Sequence, residues 1–249
     1  MRRLRGARAA PAVLAGLAIA VGVATAAPPA ASSLGPADRA GVRRSSGTIV
    51  GDTSRDFVLT CGAGQTLVVK LRAKHPAAYF NLLPPGSENV ASFIGSLSGA
   101  RFEGRAPIAG EYRLRVYLLR SAARRGERSA FELTVSVRGE SLQPLEAARD
   151  ARVPGSVYHA RGAVRCGLPY QSDVKQCDAG VIRYARDGTA TVELRGPNGF
   201  LRRLLFVKGE LVATDASSPA RAARASDSQV VTIGDEERYE LPDALLLGG

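Results

Sequence analysis

Histidine is nearly missing from this 249-residue chain, with only His75 and His159 present. Neither stands at ligand spacing to a cysteine, and ligands normally come in clusters, so no metal site and no cofactor are expected. A nucleophile elbow is also lacking. The nearest approach, GSLSG at Gly95, puts Leu97 where that turn needs serine. GAGQT at Gly62 has neither the lysine nor the spacing of a phosphate loop. The carboxylates form no evident close pair, Glu88 and Glu103 being the two that folding could bring together. The chain therefore reads as a non-enzyme. Tryptophan is absent and aromatics make up 6% of residues, while nearly all the cations are arginine. Sheets that bind nucleic acid expose aromatics beside their cations, so nucleic acid is not an expected partner.

Long apolar runs are scarce too. The longest early one, from about Pro11 to Val23, follows four arginines and precedes Ala24-Thr25-Ala26. It is too short and too rich in Ala and Gly to span a membrane. Basic, apolar and small-residue segments in that order are the grammar of a secretory signal peptide, expected over residues 1–26. The mature protein is expected to be periplasmic or secreted and not membrane-spanning.

Cysteine occurs three times. Cys166 and Cys177 flank a short polar stretch, and export leads to an oxidising compartment, so a disulfide between them is expected. Cys61 falls in phase with Phe57 and Leu59, as a small buried residue would.

Charge is unevenly spread. Loss of the leader and its four arginines takes the net charge from +11 to +7. Residues 41–140 hold fifteen Lys/Arg against eight Asp/Glu, whereas residues 141–249 hold fourteen of each. A basic half beside a neutral half implies two modules, the first meeting something acidic. Residues 27–45, rich in Pro, Ala and Ser, read as a flexible linker. Residues 46–140 show short period-two runs such as QTLVVKLR and EYRLRVYLL, the pattern of half-buried strands. Residues 141–153 read as a second linker, with a helical turn or two in LEAARDA. Residues 154–249 are again β, with hairpin turns marked by Asp187-Gly188, Asn198-Gly199 and Lys208-Gly209, and SSPARAARASDS reads as an exposed loop. The fold class is all-β: a β-sandwich or jelly-roll-like domain, then a smaller antiparallel β-meander domain with one disulfide.

One stretch of the basic half stands out. Between the alternating runs ending at Leu118 and starting at Phe131 lie Arg120, Arg124, Arg125 and Arg128, with one acid, Glu127. Alternation on both sides predicts a hairpin carrying arginines at its tip. Such a tip serves as a solvated mask for strand edges, or as a tool, since a guanidinium grips a carboxylate bidentately and stays charged when desolvated.

The stretches GTIVGDTSRDFVL…GAGQTLVVKL and AGEYRLRVYLLRSAARRGERSAFELTVSV resemble the periplasmic inhibitors of goose-type lysozyme. The match covers roughly Ser46 to Val137, and its most specific part is G-x-Y-x-[LV]-R-V followed by R-x-x-A-R. The resemblance implies a β-sandwich that inserts loops into the lysozyme cleft, with Arg124 facing the catalytic carboxylate and Arg120, Ser121 and Arg125 beside it. It implies a second contact loop holding Asp52 and Arg55; known inhibitors carry an aromatic residue at the position of Asp52. A goose-type lysozyme is thus the expected partner. The alternative is a noncatalytic envelope-binding module that uses the basic face on peptidoglycan or other anionic glycan or lipid. The second half resembles small exported bacterial β-domains of unknown function.

Overall fold

The structure, a computed structural model, describes residues 31–169 and 173–248, so the expected signal peptide lies outside the described residues. Among those described, no helix is long and apolar enough to cross a membrane. The architecture is all-β. Its first half runs β1 (Ser32–Ser33), β2 (Val42–Val50), β3 (Arg55–Cys61), β4 (Thr66–Ala73), β5 (Ala78–Leu83), β6 (Phe93–Ile94), α1 (Gly95–Ser98), β7 (Arg101–Arg105), β8 (Gly110–Leu118), α2 (Arg120–Arg124) and β9 (Arg128–Arg138). Two sheets face one another, one in the order β1-β3-β8-β5-β6 and one in the order β2-β9-β4-β7. Alternation along each strand sends every second side chain into the space between them. Phe57, Phe80, Leu114, Val116, Leu133 and Val135 meet there as one apolar core.

Cys61 belongs to that core, free and 1% exposed. Burial pushes its thiol up to about 11. Because the thiolate is the reactive form, a thiol reagent at about pH 8 is expected to label Cys61 only after unfolding. Immediate stoichiometric labelling of the folded chain would contradict this placement.

Two expectations need correction here. The strands flanking the arginine stretch do not form a hairpin: β8 pairs with β3 and β5, and β9 pairs with β2 and β4. The connection is an arch from one sheet to the other. Period two reports which face a side chain takes, not which strand lies alongside, so alternation could not separate the two arrangements. The residues expected as a flexible linker are instead partly paired. β1 runs parallel to β3, β2 begins at Val42, and Leu34 is buried in the core. LEAARDA makes one helical turn, as expected, with Arg149 and Asp150 N–H both donating to Glu146 O.

Residues 139–159 tie the halves together by backbone bonds. Leu142 N–H donates to Ala63 O at 2.9 Å on one side, and Leu145 N–H donates to Arg183 O at 2.9 Å on the other. His159 is a structural residue in this joint. Its Nδ1 accepts from Arg183 N–H at 3.0 Å, which leaves the proton on Nε2, 2.9 Å from Leu145 O. Thr191 Oγ1 donates to Pro107 O at 2.6 Å, a direct bond between the halves.

The second half holds β10 (Ala160–Gly167), β11 (Lys175–Arg183), β12 (Ala190–Arg195), β13 (Leu201–Val207), β14 (Glu210–Thr214), β15 (Ala220–Ala225), β16 (Ser228–Ile233), β17 (Glu237–Pro242) and α3 (Asp243–Leu247). The expected meander is present, and it goes further: first strand β10 pairs with last strand β17. β14 and β15, at the two ends of the order, lie beside each other without pairing, so the sheet curls into a barrel with one open seam. The stretch expected as an exposed loop contributes β15, whose residues are exposed save Ala220, which is half-buried; with no apolar face it gives no periodic signal. At Lys208-Gly209 both residues have positive φ, 52° and 78°, the geometry of a tight two-residue hairpin turn.

Cys166 and Cys177 are bonded across β10 and β11, with Cα atoms 5.9 Å apart. Replacing both by serine is expected to lower stability by about 2–3 kcal/mol through lost restriction of the unfolded loop. A urea midpoint that did not move would show that strand pairing alone sets the loop's contribution.

Candidate functional site

The arginine arch closes one end of the sandwich. Ala122 and Ala123 turn inward, 0% and 6% exposed, and plug the gap between the sheets. Arg120, Ser121, Arg124 and Arg125 are exposed. Residues four apart share a side of a helical turn, so Arg120 and Arg124 project together. The turn ends at Gly126, whose φ of +68° no side-chain-bearing residue adopts easily.

Two neighbouring turns lock onto the arch. In the β2–β3 turn, Gly51 N–H donates to Glu127 O at 2.8 Å, and Thr53 Oγ1 bonds Val50 at both its N–H and carbonyl. Asp52 is exposed on this turn, so both expected contact loops sit side by side. Arg55 reaches across the sandwich mouth: a Cβ added to Gly47 would meet Arg55 Nη1 and Phe131 Cζ at 3.0 Å each. In the β4–β5 turn, His75 N–H donates to Ser129 Oγ at 3.1 Å, Lys74 N–H to Ala130 O at 2.9 Å, and Leu119 N–H to Ala77 O at 2.9 Å. The end is therefore a single framework of three turns.

Its charges are not alike. Arg125 Nε lies 2.6 Å from Glu127 Oε1, and His75 Nε2 lies 3.0 Å from Glu127 Oε2. His75 Nδ1 accepts from Ala77 N–H at 3.1 Å, which keeps the ring turned toward the carboxylate. The Arg125 hydrogen bond holds the Glu127 carboxyl below its usual range against the opposing effect of burial, with the Arg125 and His75 charges adding smaller pulls in the same direction as the bond. Arg120 and Arg124, by contrast, make no ion pair among the described residues, although like charges four apart on a helix repel. Glu127, Lys74 and His75 escaped the sequence reading of the site. The only signal was the lone acid among the arginines, which pairs with Arg125 and His75.

Among the described residues no three His, Cys, Asp or Glu side chains are grouped to hold a metal. Glu88 and Glu103 do not form a pair. Glu88 belongs to the loop over the five-stranded sheet, and Glu103 lies on β7 of the other sheet beside Arg101.

The barrel is attached at the opposite end of the sandwich. Pro107 and the loop from Pro84 to Val90 meet it and Ala63 bonds the connecting segment at Leu142, all at the far ends of β3, β4, β5 and β8 from the arch. Among the described residues, nothing from the second half is paired with Arg120 or Arg124, and both are exposed.

No family model matches the chain, and no curated protein matches it. Among solved structures the chain is similar to PliG of Aeromonas hydrophila, a periplasmic inhibitor of g-type lysozyme, at 26% identity. That match covers 43% of this chain and 96% of the other, with a TM-score of 0.37. It is likewise similar to PliG of Salmonella Typhimurium, at 21% identity over 41% of this chain and 95% of that one, TM-score 0.32. A mutant of the Escherichia coli PliG matches at 20% identity over 44% of this chain and all of that one, TM-score 0.33.

Proposed function

We propose that this protein is an exported, noncatalytic inhibitor of a goose-type lysozyme, and that Arg124, supported by Arg120, enters the lysozyme cleft. The observation that carries this reading is the pair of exposed guanidiniums, projecting together from a turn that three loops hold rigid, with no carboxylate among the described residues to satisfy them. A guanidinium inserted beside a catalytic Glu would sequester the acid that protonates the glycosidic oxygen and would block sugar entry. Because the turns are bonded to one another before any partner arrives, little ordering entropy opposes binding. The arch between two sheets does this work better than a free hairpin would, since both ends are anchored in the core. Ser121 and Arg125 flank the inserting pair, with Asp52 and Arg55 on the adjoining turn. Asp52 adds a negative charge at a place that would otherwise supply apolar area, so the arch carries most of the grip.

Titrating the full chain into a goose-type lysozyme tests this reading. A stoichiometric complex and progressive loss of turnover are expected; undiminished turnover at saturating protein would reject it. A second reading draws on the same basic end, where Lys74, Arg120, Arg124 and Arg128 are all exposed. It has them hold anionic envelope glycan or lipid, and it requires co-sedimentation with peptidoglycan that falls steeply with salt.

A further inference from the structure

We infer that the lysozyme contact does not stop at the three turns but continues down the outer face of the five-stranded sheet, through Tyr117, Tyr79 and Arg115. This rests on the inhibitor reading and adds a second patch to it. A stable interface takes roughly twenty to thirty residues from each partner. The turns Gly51–Arg55 and Lys74–Ala77 and the arch from Leu119 to Arg128 supply fewer, and Ala122 and Ala123 among them are buried. More surface has to come from an adjoining flank.

The sandwich offers two outer faces. That of the four-stranded sheet presents Arg44, Thr48, Lys70, Arg72, Glu132 and Thr134, with no aromatic residue. On the other face Tyr79 stands directly across from Tyr117, half-buried, three residues short of Arg120. Neither tyrosine hydroxyl has a partner among the described residues. In the next row Asn81, Arg115 and Asp56 lie in register across three strands. Arg115 is fixed there: Nε donates to Asp56 Oδ1 at 2.9 Å and Nη2 to Oδ2 at 2.8 Å, and Asp56 is 5% exposed. Tyrosine and arginine, large and stiffly held, are the residues enriched where protein interfaces are strongest.

The charge on this patch decides between partners. Asp56 compensates Arg115, Arg113 Nη1 is 3.8 Å from the same carboxylate, and Glu111 is exposed in phase with them on β8, so two arginines stand against two carboxylates and the face is nearly neutral. An anionic polymer would want uncompensated cations there. A polar and aromatic protein rim fits instead, with the acidic cleft itself taking the arch.

The test compares full-chain variants against a goose-type lysozyme. Tyr79→Ala/Tyr117→Ala is expected to raise the inhibition constant at least tenfold, mainly through faster dissociation, with the chain still folded at the assay temperature despite the small stability loss from removing a cross-strand aromatic pair. Lys70→Ala, on the opposite face, is expected to leave inhibition as it was. If the tyrosine double variant inhibits like the parent while Arg124→Ala does not, the patch is rejected and the arch stands. If neither variant changes inhibition, both fall. Loss of peptidoglycan co-sedimentation in the tyrosine variant, with lysozyme inhibition intact, would make this a glycan face and overturn the inference.

Discussion

Glu237→Ala is expected to destabilise the barrel by about 3–5 kcal/mol, because it leaves a buried guanidinium short of its main partner. Arg202 is 5% exposed, and its Nε and Nη2 donate to Glu237 Oε2 and Oε1 at 2.9 and 2.7 Å. Its Nη1 donates to Asp215 Oδ1 at 3.1 Å, and its face lies over the Phe200 ring at 4.8 Å. Tyr239 O–H donates to the same Glu237 Oε2 at 2.8 Å, so alanine would orphan that hydroxyl too. Asp215 also accepts from Arg203 N–H at 2.9 Å, while Arg203 Nε donates to Glu193 Oε2 at 2.7 Å and Tyr158 O–H to Glu193 Oε1. With every member satisfied, the network closes one end of the barrel; with one missing, desolvated charge remains. Far-UV circular dichroism in urea should show the loss. Replacing Arg202 and Glu237 by apolar residues of similar volume and Tyr239 by Phe, with Asp215 kept as the acceptor for Arg203, should recover much of it. A loss under about 1 kcal/mol for Glu237→Ala would mean that solvent reaches Arg202.

Arg124→Ala is expected to weaken lysozyme inhibition at least tenfold. Truncating one partner of a desolvated charge pair typically costs about 2–5 kcal/mol of binding. The fold should be untouched, because Arg124 is exposed and makes no ion pair among the described residues, and removing it relieves repulsion from Arg120. Arg124→Lys should fall between, since an ammonium keeps the charge and loses the planar fork. An unchanged inhibition constant for Arg124→Ala, measured beside an unchanged unfolding midpoint, would remove this arginine from the mechanism.

Much of the fold was legible because one-sided burial writes period two into a strand. Leu67, Val69 and Leu71 reveal β4 in this way, and Phe131, Leu133 and Val135 reveal β9. The disulfide and the tight turns were legible from cysteine spacing and glycine dipeptides. Three kinds of feature were not. Strand partnership leaves no mark in alternation, so β8 and β9 looked like neighbours. Segments without an apolar face, such as β15, leave no pattern at all. Strands buried on both faces break the rule: Arg202 and Arg203 point to opposite sides of β13, one into the barrel and one toward the sandwich, and both are covered. Their acidic partners lie up to 35 residues away in the chain. At the site, the R-x-x-A-R spacing located the exposed arginines, but Glu127 and His75 meet only through the fold.

The barrel's attachment pole bears on how the molecule would be used. A wrench holds its bolt with the jaw, and its handle swings free of the work. With the arginine arch at one pole and the second body joined at the other, an enzyme held at the arch would leave the barrel accessible. Changes in that handle would leave the jaw as it is.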